Sequence, residues 1–279
     1  MVESIENKTG LSMTFFVTTS LGPTSKSIGD ARELAAFLNV AYVARRDQSI
    51  KNLTALYPAE GVLVVSSQKI SFLIEKDKIF FHPGLALPRI KEINNGKTDQ
   101  MISALSLQEG DSVLDCTMGL GTDAIVASYI TGSRGTVTGL ECSPIISELV
   151  KRGLQSYQIE NEKIMLAMRR IKVIKTKHKV YLASLKTGSY DVVYFDPMFR
   201  YPGRKSSGIN TLRILANHDP IDHETIKMAY NAAAKRVVIK ERRGSTEFAR
   251  LGFKNIMGGR HSTVAYGIKE RERWNERIT

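Results

Sequence analysis

Cysteine is nearly missing from this chain: Cys116 and Cys142 are its two thiols in 279 residues. That excludes a disulfide framework and any zinc site built on cysteine pairs, and it matches the reduced, cytosolic pattern. Long apolar runs are also missing. None approaches the ~18 residues of a membrane span, so no membrane partner is expected. Residues 1–10 are polar and lack a signal-peptide core, which reads as a short frayed leader. Histidines 82, 178, 218, 223 and 261 are scattered without ligand spacing, so no metal is expected, although His218, Asp219 and His261 could line a cleft. No phosphate-binding Gly-x-x-x-x-Gly-Lys-Ser/Thr occurs. Residues 22–27 imitate its end but lack the glycine before Lys26, so they read as a solvated loop. There is no internal repeat and no low-complexity segment.

Acidic residues are the minority charge. Forty Lys and Arg stand against 28 Asp and Glu, a net charge of +12. Such an excess favours a polyanionic partner, because each neutralised phosphate releases condensed counterions. Nucleic acid is therefore the expected partner class, with generic solubility as the competing explanation.

Two segments differ in organisation. In residues 1–97, strands are expected at 13–20, 42–44, 61–66, 70–75 and 78–81. Helices are expected from a capping box at Asp30 to about Leu38 and over 49–57. His82, Pro83 and Gly84 break the pattern. Pro88 and the polar run 94–97 then suggest a linker, with Thr98 capping a helix to about Leu107. From Asp111 strands and helices alternate, which implies right-handed crossovers and a mostly parallel sheet. The strands are expected at 112–117, 136–141, 190–195 and 236–240, with 171–176 and 181–184 competing for the third place. Helices are expected over 122–129, 144–157, 161–170 and 223–234. A closing antiparallel pair is expected at 253–257 and 263–268, and a charged tail at 269–279.

The most informative stretch is Asp196-Pro197-Met198-Phe199, which follows the buried-strand pattern of 190–195. An acid, a proline and an aromatic at a strand's carboxyl end can hold a flat amine. The acid accepts from the N–H, the rigid turn presents a second carbonyl acceptor, and the aromatic stacks. That suits transfer of a carbon group to an exocyclic nitrogen of a nucleobase. Asp-Pro is also a common turn starter, so an ordinary strand-ending turn explains the same residues.

A second motif joins strand to helix around Asp115, Thr117, Met118, Gly119, Gly121, Thr122 and Asp123. Its glycines permit a tight turn and close ligand approach, and the helix start offers free N–H groups. Gly119-x-Gly121-x-x-Ala124 fits a dinucleotide. Asp115, at the strand end just before the glycines, fits the cationic amino group of S-adenosylmethionine. Glu141, with Cys142 adjoining, ends the next strand and could take ribose hydroxyls in either class. Ser184 lies where the loop after a third strand could meet an adenine ring, or it is an ordinary loop serine. Neither cysteine suits a nucleophile for methylation at a pyrimidine carbon, and both read as small packing residues.

Basic runs flank these motifs. Arg200, Tyr201, Arg204 and Lys205 directly follow the Asp-Pro turn, and Lys240 to Arg243 end the fifth strand at the same sheet edge. Tyr201 among basic residues could stack on a base.

From Asp111 to Ile268 the chain resembles a class I S-adenosylmethionine-dependent methyltransferase, and more narrowly the bacterial small-subunit ribosomal RNA guanine-N2 methyltransferases. The resemblance rests on Asp115, Thr117, Gly119, Leu120, Gly121 and Asp123; on Tyr194 with Asp196-Pro197-Met198-Phe199; and on Lys235, Arg236, Val237, Val238 and Lys240. Methionine in place of a second proline makes the match narrow. The loop after Phe199 departs from the family's pattern. The resemblance implies an α/β fold, a doubly wound, mostly parallel seven-stranded Rossmann-like sheet, with a smaller N-terminal α/β lobe over 1–97 and the methyltransferase domain over 98–279. It implies S-adenosyl-L-methionine as cofactor, ribosomal RNA as partner and a cytoplasmic enzyme. The competing functions are an amino-methyltransferase of DNA, transfer RNA or a protein side chain, a non-catalytic RNA-binding assembly factor, and a nicotinamide oxidoreductase.

Overall fold

Two sheets organise the described residues, one of four strands and one of seven. The computed structural model describes residues 13–197, 215 and 219–271. Met198, Phe199, Arg200, Tyr201, Arg204, Lys205 and His218 lie outside the described residues.

The first unit comprises residues 13–82 together with Ser143–Gln158. Its sheet runs in order β1 (Phe15–Thr19), β2 (Gly61–Val65), β3 (Ile70–Ile74) and β4 (Asp77–Phe80). β1 and β2 are parallel, and the other pairs are antiparallel. Gly61 is required by packing, because a Cβ there would sit 2.2 Å from the Phe72 ring. The crossover helix Ser25–Leu38 begins earlier than the capping box at Asp30 implied. Thr24 caps it instead, accepting from the Ser27 N–H at 3.2 Å, and this leaves Asp30 inside the helix. The expected strand at 42–44 is a single bridge, Tyr42 to Val17. The helix Pro144–Ser156 starts with proline at its first turn, as expected, and is capped by Ser143. Gly153 lets it close on Phe81, where a Cβ would meet the ring at 2.2 Å.

The second unit, Pro83–Cys142, 159–197 and 219–271, carries the larger sheet. Its strands are β5 (Ser112–Asp115), β6 (Thr136–Glu141), β7 (Lys172–Lys175), β8 (Tyr190–Phe195), β9 (Ala233–Arg242), β10 (Asn255–Met257) and β11 (Val264–Glu270). The order is β10-β11-β9-β8-β5-β6-β7. The five central and edge strands β7, β6, β5, β8 and β9 are parallel, and β11 and β10 add an antiparallel pair. This is the doubly wound sheet expected from the alternation of elements. Leu114, Val193, Phe195, Val237 and Ile239 form one buried face against Ile226, Ala229 and Phe248. Each such large apolar side chain contributes about 1.5–3 kcal/mol by leaving water.

Several boundaries differ from expectation for local reasons. Residues 172–175 take the third-strand position, and 181–184 do not form a strand. His178–Ala183 is instead a helix that buries Leu182 in the sheet's core. Lysines at both ends of β7 suit an edge strand, whose outer backbone faces water. The expected linker holds a helix, Ala86–Asn94, that buries Ala86 and Ile90. Pro88 is tolerated because it lies in the first turn, where an N–H donor would have no intrahelical acceptor. The following helix, Gln100–Leu105, is capped by Asp99 rather than Thr98, through the Met101 and Ile102 amides at 3.0 and 3.1 Å. Ser106 in the left-handed region ends it before Leu107. β9 starts at Ala233, where residues 233–234 were expected to be helical. β11 extends through Glu270, so Lys269 and Glu270 belong to the sheet rather than to a tail.

Candidate active site

The sheet's register brings the acids together. Asp115 is level with Tyr194 across β5 and β8, and Phe195 is level with Ile239 across β8 and β9. One residue further, Asp196 and Lys240 leave adjacent parallel strands side by side. Glu141 ends β6 beside them in the strand order. Carboxyl ends of parallel strands at the point where the order reverses are where open α/β sheets bind ligands. Here that point lies between β5 and β8.

The glycine turn is fixed by backbone bonds. The Cys116 amide donates to the Tyr194 carbonyl at 2.9 Å, Met118 to Leu140 at 3.0 Å, and Gly121 to Met118 at 2.9 Å. Gly119 and Gly121 have φ of +52° and +81°, a region that glycine enters freely. A Cβ at Gly119 would have no neighbour nearer than 4.0 Å, so that side of the turn is open. The helix Thr122–Thr131 that follows has no side-chain cap, which leaves first-turn amides for another acceptor. The thioether of Met118 fills the space over Gly139, where a Cβ would meet sulfur at 2.1 Å.

Asp115 is 2 % exposed and accepts from the Thr117 amide at 3.1 Å. Burial pushes its carboxyl up to about 8, with Asp123 and Asp196 adding to the rise. Such a group favours a cation beside it. Asp196 is anchored through its backbone, whose N–H donates to Thr117 Oγ1 at 2.6 Å. Its Oδ2 accepts from Lys240 Nζ at 2.7 Å, and its side chain is 29 % exposed. Burial raises the Asp196 carboxyl to about 6 against the pull of Lys240.

Asp123, in the first turn of the helix after the glycines, is held by three side chains. Its Oδ2 accepts from Tyr194 Oη at 2.8 Å and from Lys240 Nζ at 3.3 Å, and its Oδ1 from Arg89 at 2.5 Å. Burial opposes its charge, yet Lys240 and Arg89 hold it below the usual carboxylate range. Arg89 also forks onto Asp99 at 2.7 and 2.9 Å. Lys240 is held above the ordinary lysine range, because Asp196 and Asp123 outweigh its burial. The structure thus brings Asp115, Thr117, Asp123, Asp196 and Lys240 into one cluster. It adds Arg89 and the Tyr194 hydroxyl, to which the sequence reading gave no role. No local signal identifies Arg89, which stood in an expected linker.

The remaining expected residues are placed as follows. Thr122 opens the helix after the turn, and Pro197 follows Asp196. Cys142 is half-buried, one residue beyond β6. Ser184 caps the helix His178–Ala183, and its hydroxyl donates to the Tyr181 carbonyl at 2.7 Å. Cys116 is buried, and burial with Asp115 beside it raises its thiol further. Among the described residues, no group of three or more His, Cys, Asp and Glu could hold a metal ion, and no helix is long and apolar enough to cross a membrane.

Residues 62–261 match the model of the family described as "Putative SAM-dependent methyltransferase". The chain belongs to this methyltransferase family. The methyltransferase is 39 % identical over 254 residues to the uncharacterized protein YpiP of Bacillus subtilis, covering 90 % of this chain and 98 % of that protein. It is 28 % identical to the ribosomal RNA small subunit methyltransferase J of Coxiella burnetii, covering 79 % of this chain and 84 % of the relative. The enzyme of the same name from Desulfotalea psychrophila is 29 % identical, over 82 % and 88 %. The crystal structure of the SAM-dependent methyltransferase NGO1261 from Neisseria gonorrhoeae shares the fold, with a TM-score of 0.66, 17 % identity, and coverage of 95 % and 99 %. The methyltransferase's cofactor is S-adenosyl-L-methionine. Its donor set fits that molecule: a buried carboxylate favouring a cation, an open glycine turn, and a second acid at the next strand end.

Proposed function

We propose that this methyltransferase modifies an exocyclic amine, guanine N2 of small-subunit ribosomal RNA. The observation that carries the reading is Asp196. It stands at the carboxyl end of β8, fixed by Thr117 Oγ1 at its amide and by Lys240 at one carboxylate oxygen, and its side chain is half-buried rather than closed off. A carboxylate held this way accepts from an amine N–H, with the Pro197 carbonyl as second acceptor. Two acceptors draw the nitrogen lone pair out of conjugation with the ring. Bound S-adenosyl-L-methionine supplies an activated methyl group on a sulfonium. Asp115 and the 117–123 loop would hold its methionine end, and Glu141 the ribose. Alignment of donor and acceptor supplies much of the acceleration. The amine proton is lost after transfer, once the nitrogen is cationic, so no strong base is required. A paired guanine is flipped out to reach Asp196.

Support for RNA comes from the net charge of +12 and from the relatives whose printed name is ribosomal RNA small subunit methyltransferase J. Cytoplasmic residence follows from a ribosomal substrate. The test incubates the protein and S-adenosyl-L-methionine with small-subunit RNA, assembled small subunits, transfer RNA and duplex DNA, each separately. Nucleoside mass spectrometry should find N2-methylguanosine in ribosomal RNA or its particle. Methylation of DNA or transfer RNA alone, or of another guanine atom, would replace the reading.

A further inference from the structure

Where β9 ends, the chain builds a second basic element that the methyl-transfer site does not use. Arg242 closes β9 and Arg243 follows it, and the 258–263 turn between β10 and β11 returns to the same end of the sheet. Arg243 ties the two together. Its guanidinium donates to the Gly259 carbonyl at 2.5 Å and to the Arg260 carbonyl at 2.9 Å, and its amide donates to Thr263 at 3.0 Å. The Gly259 amide reaches Gln100 Oε1 at 3.4 Å, where a Cβ would meet the Gln100 amide nitrogen at 2.4 Å. The turn is therefore held from two sides. On this fixed turn Arg260 and His261 are exposed, and Arg242 is exposed beside it. Neither 242–246 nor 254–263 contains an acid. The Arg260 side chain makes no ion pair among the described residues.

Strand geometry sets this element against the site. Lys240 and Arg242 are two residues apart on β9 and so share a face. Lys240 grips Asp196, and Arg242 stands about 7 Å further along the strand, given a rise of ~3.3 Å per residue. We infer that Arg242 and Arg260, on the turn that Arg243 fixes, form a phosphate-binding rim for the RNA strand on the side of the nucleotide presented to Asp196. The rim rests on the ribosomal RNA reading above and adds to it a docking surface.

The test measures binding of a small-subunit RNA fragment as a function of salt for the full chain and for Arg242→Glu, Arg260→Glu and Arg260→Lys, with methylation of the same fragment followed in parallel. Each charge-reversed variant should bind at least several-fold more weakly at 0.1 M salt and lower the salt slope by roughly 0.7–0.9, the share of one phosphate contact. S-adenosylhomocysteine affinity and melting temperature should stay at the parent values. Arg260→Lys keeps the charge and should retain most of the binding. Parent-like affinity and slope in both Glu variants, while the parent methylates the fragment, would overturn the rim and leave the function standing. A loss in Arg260→Lys equal to that in Arg260→Glu would also overturn it. A parent that neither binds nor methylates RNA would remove the function, and the rim with it.

Discussion

Lys240 Nζ lies 2.7 Å from Asp196 and 3.3 Å from Asp123, so one ammonium is shared by two carboxylates. The acid after β8 and the acid in the first helical turn are thereby parts of one network. Tyr194 and Arg89 hold Asp123 from its other sides.

Asp196→Ala should lower methylation by about 100-fold or more while cofactor binding persists, because it removes an acceptor for the target amine. Radiolabelled transfer assays paired with calorimetry of S-adenosylhomocysteine read both quantities. Parent-level turnover would overturn the assignment.

The pH dependence follows from the Asp196 carboxyl near 6. An accepting carboxylate must be ionised, so activity should fall as pH drops through about 6. The charged and titratable groups around it are Lys240, Asp123, Asp115, Tyr194 and Tyr266. Lys240→Met removes the cation and leaves burial and the two acids, which raises the Asp196 pKa. The acid limb of the pH–rate profile should then move to higher pH. A lower rate with an unmoved limb would show that Lys240 contributes packing alone.

Cofactor binding should release a proton at pH 7, because Asp115, raised to about 8, must ionise to meet a cationic amino group. Calorimetry in buffers of different ionisation enthalpy measures the proton count. Asp115→Asn should abolish the release and weaken binding. Without ligand the sign reverses for folding: the folded state holds this proton more tightly than the unfolded chain. Stability contributed by Asp115 therefore rises as pH falls from about 8 towards the ordinary carboxylate range. Thermal melts of parent and Asp115→Asn between those pH values should converge at the acid end.

Gly139→Ala should cost roughly 1–3 kcal/mol by overpacking, since its Cβ would fall 2.1 Å from Met118 sulfur. The melting temperature should drop by several degrees, and S-adenosylhomocysteine should bind more weakly because Met118 belongs to the glycine turn. Adding Met118→Ala should recover part of both losses. No recovery would place the strain elsewhere.

Much of the larger sheet was legible because its strands carry their signals locally. The 136–141 and 190–195 runs match β6 and β8, and the 144–157 pattern opens on a proline that suits a first turn. The third strand was ambiguous because Lys-Val-Ile-Lys and Tyr-Leu-Ala-Ser are both short. Pairing with β6 decided it, and pairing is not local. The helix Ala86–Asn94 was missed because proline breaks a helix interior but not its first turn, and sequence alone does not say which turn it occupies.

By itself, the sequence determined the alternation that makes a parallel sheet, the glycine turn, and the acids at three strand ends. These depend on residue type and spacing within a few positions. Tertiary structure decided what the acids do to one another. Register across β8 and β9 set Lys240 beside Asp196, and chain reversal brought Arg89 to Asp123. Charge shifts of this kind depend on distance and burial, and both arise between segments far apart in the chain.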